Sequence, residues 1–293
     1  MKFRKPLFAL AAVTALAAPA AIAHRMWLLP SSTVVSGTDN WVTVDAAVSN
    51  DLFYFDHRPL GAIPTITQPD GTEGKAEHHN VGQFRATFDV HLTQQGTYRI
   101  AVVNQGVFGR YTLNGESKML PRGTTKAQLA SAIPAGATDV QTSEMLARNE
   151  IFVTQGAPTN TVFKPTGDGI ELVPVTHPND LVANEAATFQ FLLDGKPASG
   201  LYVTTILGGG RYRAAPKQME QRTDAAGKVT IKWPEAGMYW INVTQNAPQP
   251  EGEGPRPQAQ AGAQRAGGGA QGMRGVPSGR RVSYTTTLEV LAP

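Results

Sequence analysis

A histidine directly behind a small-x-small triplet is the residue with the most chemistry to offer in this 293-residue sequence. Ala21-Ile22-Ala23 fits the site at which signal peptidase cuts, and cleavage there leaves His24 as the first residue. A chain beginning with histidine presents two nitrogens from one residue, the free α-amine and the imidazole. Nitrogen donors of this kind suit Ni, Co, Cu and Zn. The competing reading is that His24 merely opens a strand. His57 lies in Asp56-His57-Arg58-Pro59, where a carboxylate beside an imidazole can orient it as metal ligation requires, or where a turn simply exposes it before Pro59. His177, in Thr176-His177-Pro178-Asn179-Asp180, is either a further ligand near a domain joint or a residue stabilising its own turn. His78-His79 reads as a solvated loop pair, since neighbours in a strand point to opposite faces. His91 reads as a structural strand residue.

These histidines matter more because the chain contains no cysteine, which excludes disulfides, zinc–thiolate sites and thiol nucleophiles together. Catalytic signatures are missing too: there is no Gly-x-Ser-x-Gly elbow, no phosphate-cradling loop and no His-Glu-x-x-His. Gly208-Gly209-Gly210 reads as a turn, and the carboxylate pairs Asp168/Glu171 and Glu144/Glu150 read as solvated. No enzymatic activity is expected. The 26 Lys and Arg exceed the 23 Asp and Glu only through Lys2, Arg4 and Lys5, all ahead of the cleavage site. The remainder is electrically balanced and gives no case for binding nucleic acid.

The first 23 residues have a basic start, an apolar run from Leu7 to Ala18 and the cleavage triplet, so an exported, periplasmic protein is expected. No later apolar run approaches the roughly 20 residues that span a bilayer. From Trp27 onward the pattern is strand and turn. In Trp41 to Val48, Val42, Val44, Ala46 and Val48 share one face while Trp41, Thr43, Asp45 and Ala47 share the other. Ala86 to Val90, Thr97 to Val103 and Val107 to Leu113 read as separate short strands, the last two parted by Asn104-Gln105-Gly106. Thr124 to Ile133, stopped by Pro134, is the one helical stretch, within a long connection from Asn114 to Arg148.

An internal echo then organises the whole chain. Leu28-Leu29-Pro30 is answered by Leu172-Val173-Pro174, and Gly96-Thr97-Tyr98 by Gly237-Met238-Tyr239, at nearly the same spacing. Two tandem β-sandwiches follow, an all-β architecture with one short helix in the first: residues 24–165 and 166–293. Residues 247–281 hold mainly Gly, Pro, Gln, Ala and Arg with no aromatic residue, and are expected to form a disordered insertion before a final strand from Ser283.

Glu171-Leu172-Val173-Pro174-Val175-Thr176-His177-Pro178-Asn179-Asp180, Phe191-Leu192-Leu193-Asp194-Gly195-Lys196-Pro197 and Trp233-Pro234-Glu235-Ala236-Gly237-Met238-Tyr239-Trp240 resemble the family known as domain of unknown function 4198. The likeness extends to the His24-x-x-Trp27 start and to His57-Arg58-Pro59-Leu60. It implies immunoglobulin-like domains and an association with periplasmic cobalt and nickel uptake. It carries over His24, His57 and His177 as candidate ligands of a divalent transition metal, with an inner- or outer-membrane uptake component as partner. Two other readings stand beside it: an adhesive module contacting envelope glycan or protein through Trp27, Trp41, Phe53, Tyr54 and Phe55, and, ranked last, a copper oxidase built on His24.

Overall fold

The computed structural model describes residues 25–214, 217–246 and 279–293. In chain order the first half contains β1 (Arg25–Pro30), β2 (Val34–Val35), β3 (Asn40–Ser49), β4 (Thr65–Thr67), β5 (Glu73–Gly74), β6 (Glu77–Val81), β7 (Ala86–Leu92), β8 (Gly96–Leu113), β9 (Glu116–Met119), α1 (Leu129–Ala132) and β10 (Thr138–Gln155). The second half contains β11 (Ile170–Pro174), β12 (Ala186–Leu193), β13 (Lys196–Pro197), β14 (Tyr202–Leu207), β15 (Gln218–Arg222), β16 (Lys228–Lys232), β17 (Gly237–Thr244) and β18 (Gly279–Val290).

The two halves repeat one plan, as the echo predicts. A covering sheet β1-β3-β7-β6 in the first corresponds to β11-β12-β16 in the second, with β13 beside β12. Opposite these, β10-β8-β4-β5 corresponds to β18-β17-β14-β15. The latter two sets are not separate. β10 pairs in parallel with β18, from Ser143↔Gly279 to Glu150↔Thr286, and fuses them into one ten-stranded sheet. The two tandem sandwiches therefore share a sheet.

Alternation along β10 shows how the shared sheet serves both cores, because successive strand residues point to opposite faces. Ile151 and Val153 enter the first core with Val42, Val44, Phe88, Tyr98 and Ile100. Leu146 and Phe152 enter the second with Phe189, Phe191, Trp233, Tyr239 and Tyr284. A strand buried on both faces loses the polar alternation of an ordinary antiparallel strand. β3 keeps it: Val42 and Val44 are fully buried while Trp41 is 47% exposed.

Several expected boundaries are corrected. Asn104-Gln105-Gly106 does not interrupt the chain; β8 runs straight through it, held by β10 across Asn104↔Ala147 to Gly106↔Met145. The helix is confined to Leu129–Ala132 and packs beside a small core of Val107, Tyr111 and Leu120. The connection from Asn114 is shorter than expected because β10 begins at Thr138. Gly279, Arg280 and Arg281 belong to β18 rather than to the insertion, and Arg280 donates to Asp194 Oδ2 at 2.5 Å and to Asp168 Oδ1 at 2.7 Å. The rest of the insertion, 247–278, and the signal through His24 lie outside the described residues. No helix among the described residues is long and apolar enough to cross a membrane.

Candidate functional site

The beginning of β1 and the loop carrying His57 meet at one corner of the molecule. Arg25 lies across from Ser49, and its guanidinium donates to Asn50 O at 2.6 Å. The Asn50 N–H donates to Asp56 Oδ1 at 3.3 Å, and the same carboxylate oxygen lies 2.7 Å from His57 Nδ1. Asp56 thus orients the His57 ring through Nδ1, as a carboxylate beside a metal-ligating imidazole does. Both side chains retain partial exposure, 28% for His57 and 29% for Asp56. His24 directly precedes Arg25 in sequence.

An aromatic cluster holds this loop in place. Trp27 is fully buried; Phe53 and Phe55 pack on it with ring centroids 5.5 and 5.4 Å away, and its indole N–H donates to Ser49 Oγ at 2.8 Å. From the second sandwich, the Trp240 indole N–H donates to Met26 O at 3.0 Å. Gly208 completes the fit, since a Cβ there would lie 2.6 Å from the Phe53 ring. Trp27, Phe53 and Phe55 therefore contribute to the junction between sandwiches, with Ile206 and Trp240 from the second. Of the aromatics in the adhesive reading, only Tyr54, under the Arg211 guanidinium at 4.0 Å, and Trp41 remain substantially exposed.

His177 sits at the opposite end of the first sandwich. Its Nδ1 accepts the Asn179 N–H at 3.1 Å, while Nε2 lies 3.1 Å from Thr97 Oγ1 and 3.3 Å from Thr159 O. Thr97 Oγ1 in turn is 2.9 Å from Thr154 Oγ1, which donates to Asn179 Oδ1 at 2.9 Å. β1 begins near His57, whereas the turn that follows it bonds Thr154 through Thr33 O. The length of β1, about 17 Å at 3.3 Å per residue, separates the two sites. The structure does not bring His57 and His177 together. Nδ1 of His177 holds its own turn at Asn179 while Nε2 ties the second sandwich to the first at Thr97 and Thr159, and burial lowers its pKa below the ordinary histidine value.

Residues 21–247 match the family described as domain of unknown function (DUF4198). The chain belongs to this family. No curated protein matches it significantly. Among solved structures it is similar to a DUF4785 family protein from Legionella pneumophila at 8% identity and TM-score 0.23, covering 74% of this chain and 50% of that one. The chain spans half the length of that protein. It is also similar to a two-domain fibronectin type III segment of chicken tenascin (11% identity, 76% and 90% coverage, TM-score 0.17). The D00–D0 domain segment of intimin aligns at 10% identity, 75% and 91% coverage and TM-score 0.18.

Of the remaining histidines of this DUF4198 protein, His78 and His91 lie beside the exposed Trp41 on the outer face of the first covering sheet. His91 stacks on Trp41, centroids 4.2 Å apart and rings 5° from parallel, and bonds Asp39 through Nε2. His78 approaches the same indole at 5.9 Å, with Nδ1 2.8 Å from Asp89 Oδ2. His78 and His79 belong to β6, not to a solvated loop, and His79 packs 6.4 Å from Phe88. His78 and His91 pair with different carboxylates, Asp89 and Asp39. Among the described residues no group of three His, Cys, Asp or Glu is placed to hold a metal ion. Nor are the carboxylates all solvated: Glu150 and Glu171 are 3% and 4% exposed. The alternation of Leu146, Arg148, Glu150 and Phe152 on one strand face was the available signal for burial of Glu150.

Proposed function

We propose that this DUF4198 protein binds a divalent transition metal outside the cytoplasm, with His24 as the chain's first residue after export and His57 as its partner. The supporting observation is the link of hydrogen bonds from Arg25 through Asn50 to Asp56 and His57, which ties the start of β1 to an oriented imidazole. In this reading the α-amine and imidazole of His24 and Nε2 of His57 supply three nitrogens, a set suited to Cu, Ni, Co or Zn. Asp56 orients the His57 ring, and the Trp27 cluster holds the loop. His177 plays no part in the site, since ligation would break the bonds that join the sandwiches. Use of the bound metal as cargo for an envelope uptake component is the accompanying role.

Calorimetric titration with each of the four ions tests this on protein cleaved after Ala23 and on protein carrying one extra amino-terminal residue. Blocking the amine, His24→Ala and His57→Ala are each expected to weaken binding at least tenfold. Unchanged affinity in all three refutes the site. Imidazole and amine must be deprotonated to bind, so affinity falls as pH drops below about 8, where an α-amine takes up its proton, and more steeply below about 6.5, where imidazole does.

A further inference from the structure

Two buried carboxyls share one guanidinium where the sandwiches meet. Arg148 on β10 lies 3.9 Å from Glu150 Oε2 and 3.9 Å from Glu171 Oε1, and the three side chains are only 10%, 4% and 6% exposed. Glu171, on β11, is richly supplied: Oε1 accepts the Thr166 N–H and hydroxyl, both at 2.7 Å, and Oε2 accepts the Gly167 N–H at 2.8 Å. Three donors beside a cation suit the carboxylate form. Glu150 has no comparable set. Its Oε2 is buried and makes no hydrogen bond among the described residues.

The groups facing Glu150 come from four other places. Arg99 approaches from β8 and Glu171 from β11, Lys164 lines the same cavity beyond the turn Thr161–Phe163, and the buried Tyr284 hydroxyl faces it from β18. The cavity measures about 10 Å³, room for no more than one water molecule, so a hydrated counter-ion cannot enter. Arg148 is shared with Glu171 and, among the described residues, neither Arg99 nor Lys164 forms an ion pair with Glu150, so this buried carboxyl is only partly compensated and a proton is the smallest remedy.

We propose that Glu150 is a neutral carboxylic acid in the folded protein at neutral pH, and that its deprotonation loosens the joint between the two sandwiches. Burial pushes its carboxyl up, against the opposing pull of Arg148 and Arg99. The sign follows: the native state holds this proton while the unfolded chain releases it near pH 4.3. Stability therefore declines as pH rises from about 4.3 to the native value and then levels off, about tenfold in the unfolding equilibrium per unit of elevation.

The test uses the full chain with glutamate labelled at the δ-carbon with carbon-13. One Glu resonance is expected to keep its neutral-acid shift at neutral pH and to vanish from that position in Glu150→Gln. Thermal unfolding from about pH 4 to about pH 9 should decline in the wild type relative to Glu150→Gln, while Glu144→Gln tracks the wild type. Titration of every Glu resonance in the ordinary carboxylate range overturns the proposal, whether or not Glu150→Gln folds. Parallel stability curves for wild type and Glu150→Gln overturn the loosening.

Discussion

At the scale of single residues, the corner at His57 depends on a carboxylate that does not itself need to touch the metal. Asp56 Oδ1 both receives the Asn50 N–H and holds His57 Nδ1. Asp56→Asn replaces an acceptor that suits imidazole Nδ1–H with an amide that can also offer a donor, and the ring loses its fixed orientation. Metal affinity is expected to fall roughly 10- to 100-fold, as for other outer-shell partners. His177→Ala should leave the affinity unchanged, because its nitrogens serve Asn179, Thr97 and Thr159. Parallel calorimetric titrations of the two variants make the comparison, and equal losses would deny the separation of the sites. The histidine motifs were legible in the sequence because an Asp-His pair is local. The engagement of His177 was not, since Thr97 lies 80 residues away.

At the scale of elements, the loop between β3 and β4 is locked by contacts no local pattern announces. Phe53 takes a left-handed backbone conformation, φ 62°, and its ring fills the space where Gly208 lacks a side chain. Gly208→Ala brings a Cβ to 2.6 Å from that ring and 3.0 Å from Met238 O, which is backbone and cannot swing aside. The expected cost is about 1–3 kcal/mol, read from the urea midpoint. In a Phe53→Ala background the same substitution should cost markedly less, because the clash with the ring is gone. β3 itself was readable from alternation, since one of its faces is solvated. β8 and β10 were not: the two strands pair with each other without a break across Asn104-Gln105-Gly106, so turn-forming residues remain in strand. The burial of Glu150 escaped notice for a related reason, since Arg99, Glu171 and Tyr284, which enclose it, come from segments far away in sequence.

At the scale of the whole molecule, the ten-stranded sheet makes the two sandwiches one object. β10 gives Leu146 and Phe152 to one core and Ile151 and Val153 to the other, so neither core can open without disturbing the strand that serves both. A single unfolding transition is expected, with calorimetric and van't Hoff enthalpies in agreement; two resolved transitions would contradict it. The repeated plan was legible from the echo between Gly96-Thr97-Tyr98 and Gly237-Met238-Tyr239, whereas the parallel seam joins segments about 135 residues apart. Away from that seam, the contact of His177 with Thr97 and Thr159 exposes folding to acid. Burial lowers the pKa of its imidazole, so the unfolded chain binds the proton first as pH falls. Its contribution is complete above about pH 6.5 and is lost progressively below that, down to the depressed native value. Protonation places a hydrogen on Nδ1, where the Asn179 N–H now donates, and so breaks the network tying His177 and Asn179 to Thr97 and Thr154. His177→Gln should flatten the decline in melting temperature between neutral and mildly acid pH. A variant whose acid limb coincides with that of the wild type would assign the acid sensitivity to other groups.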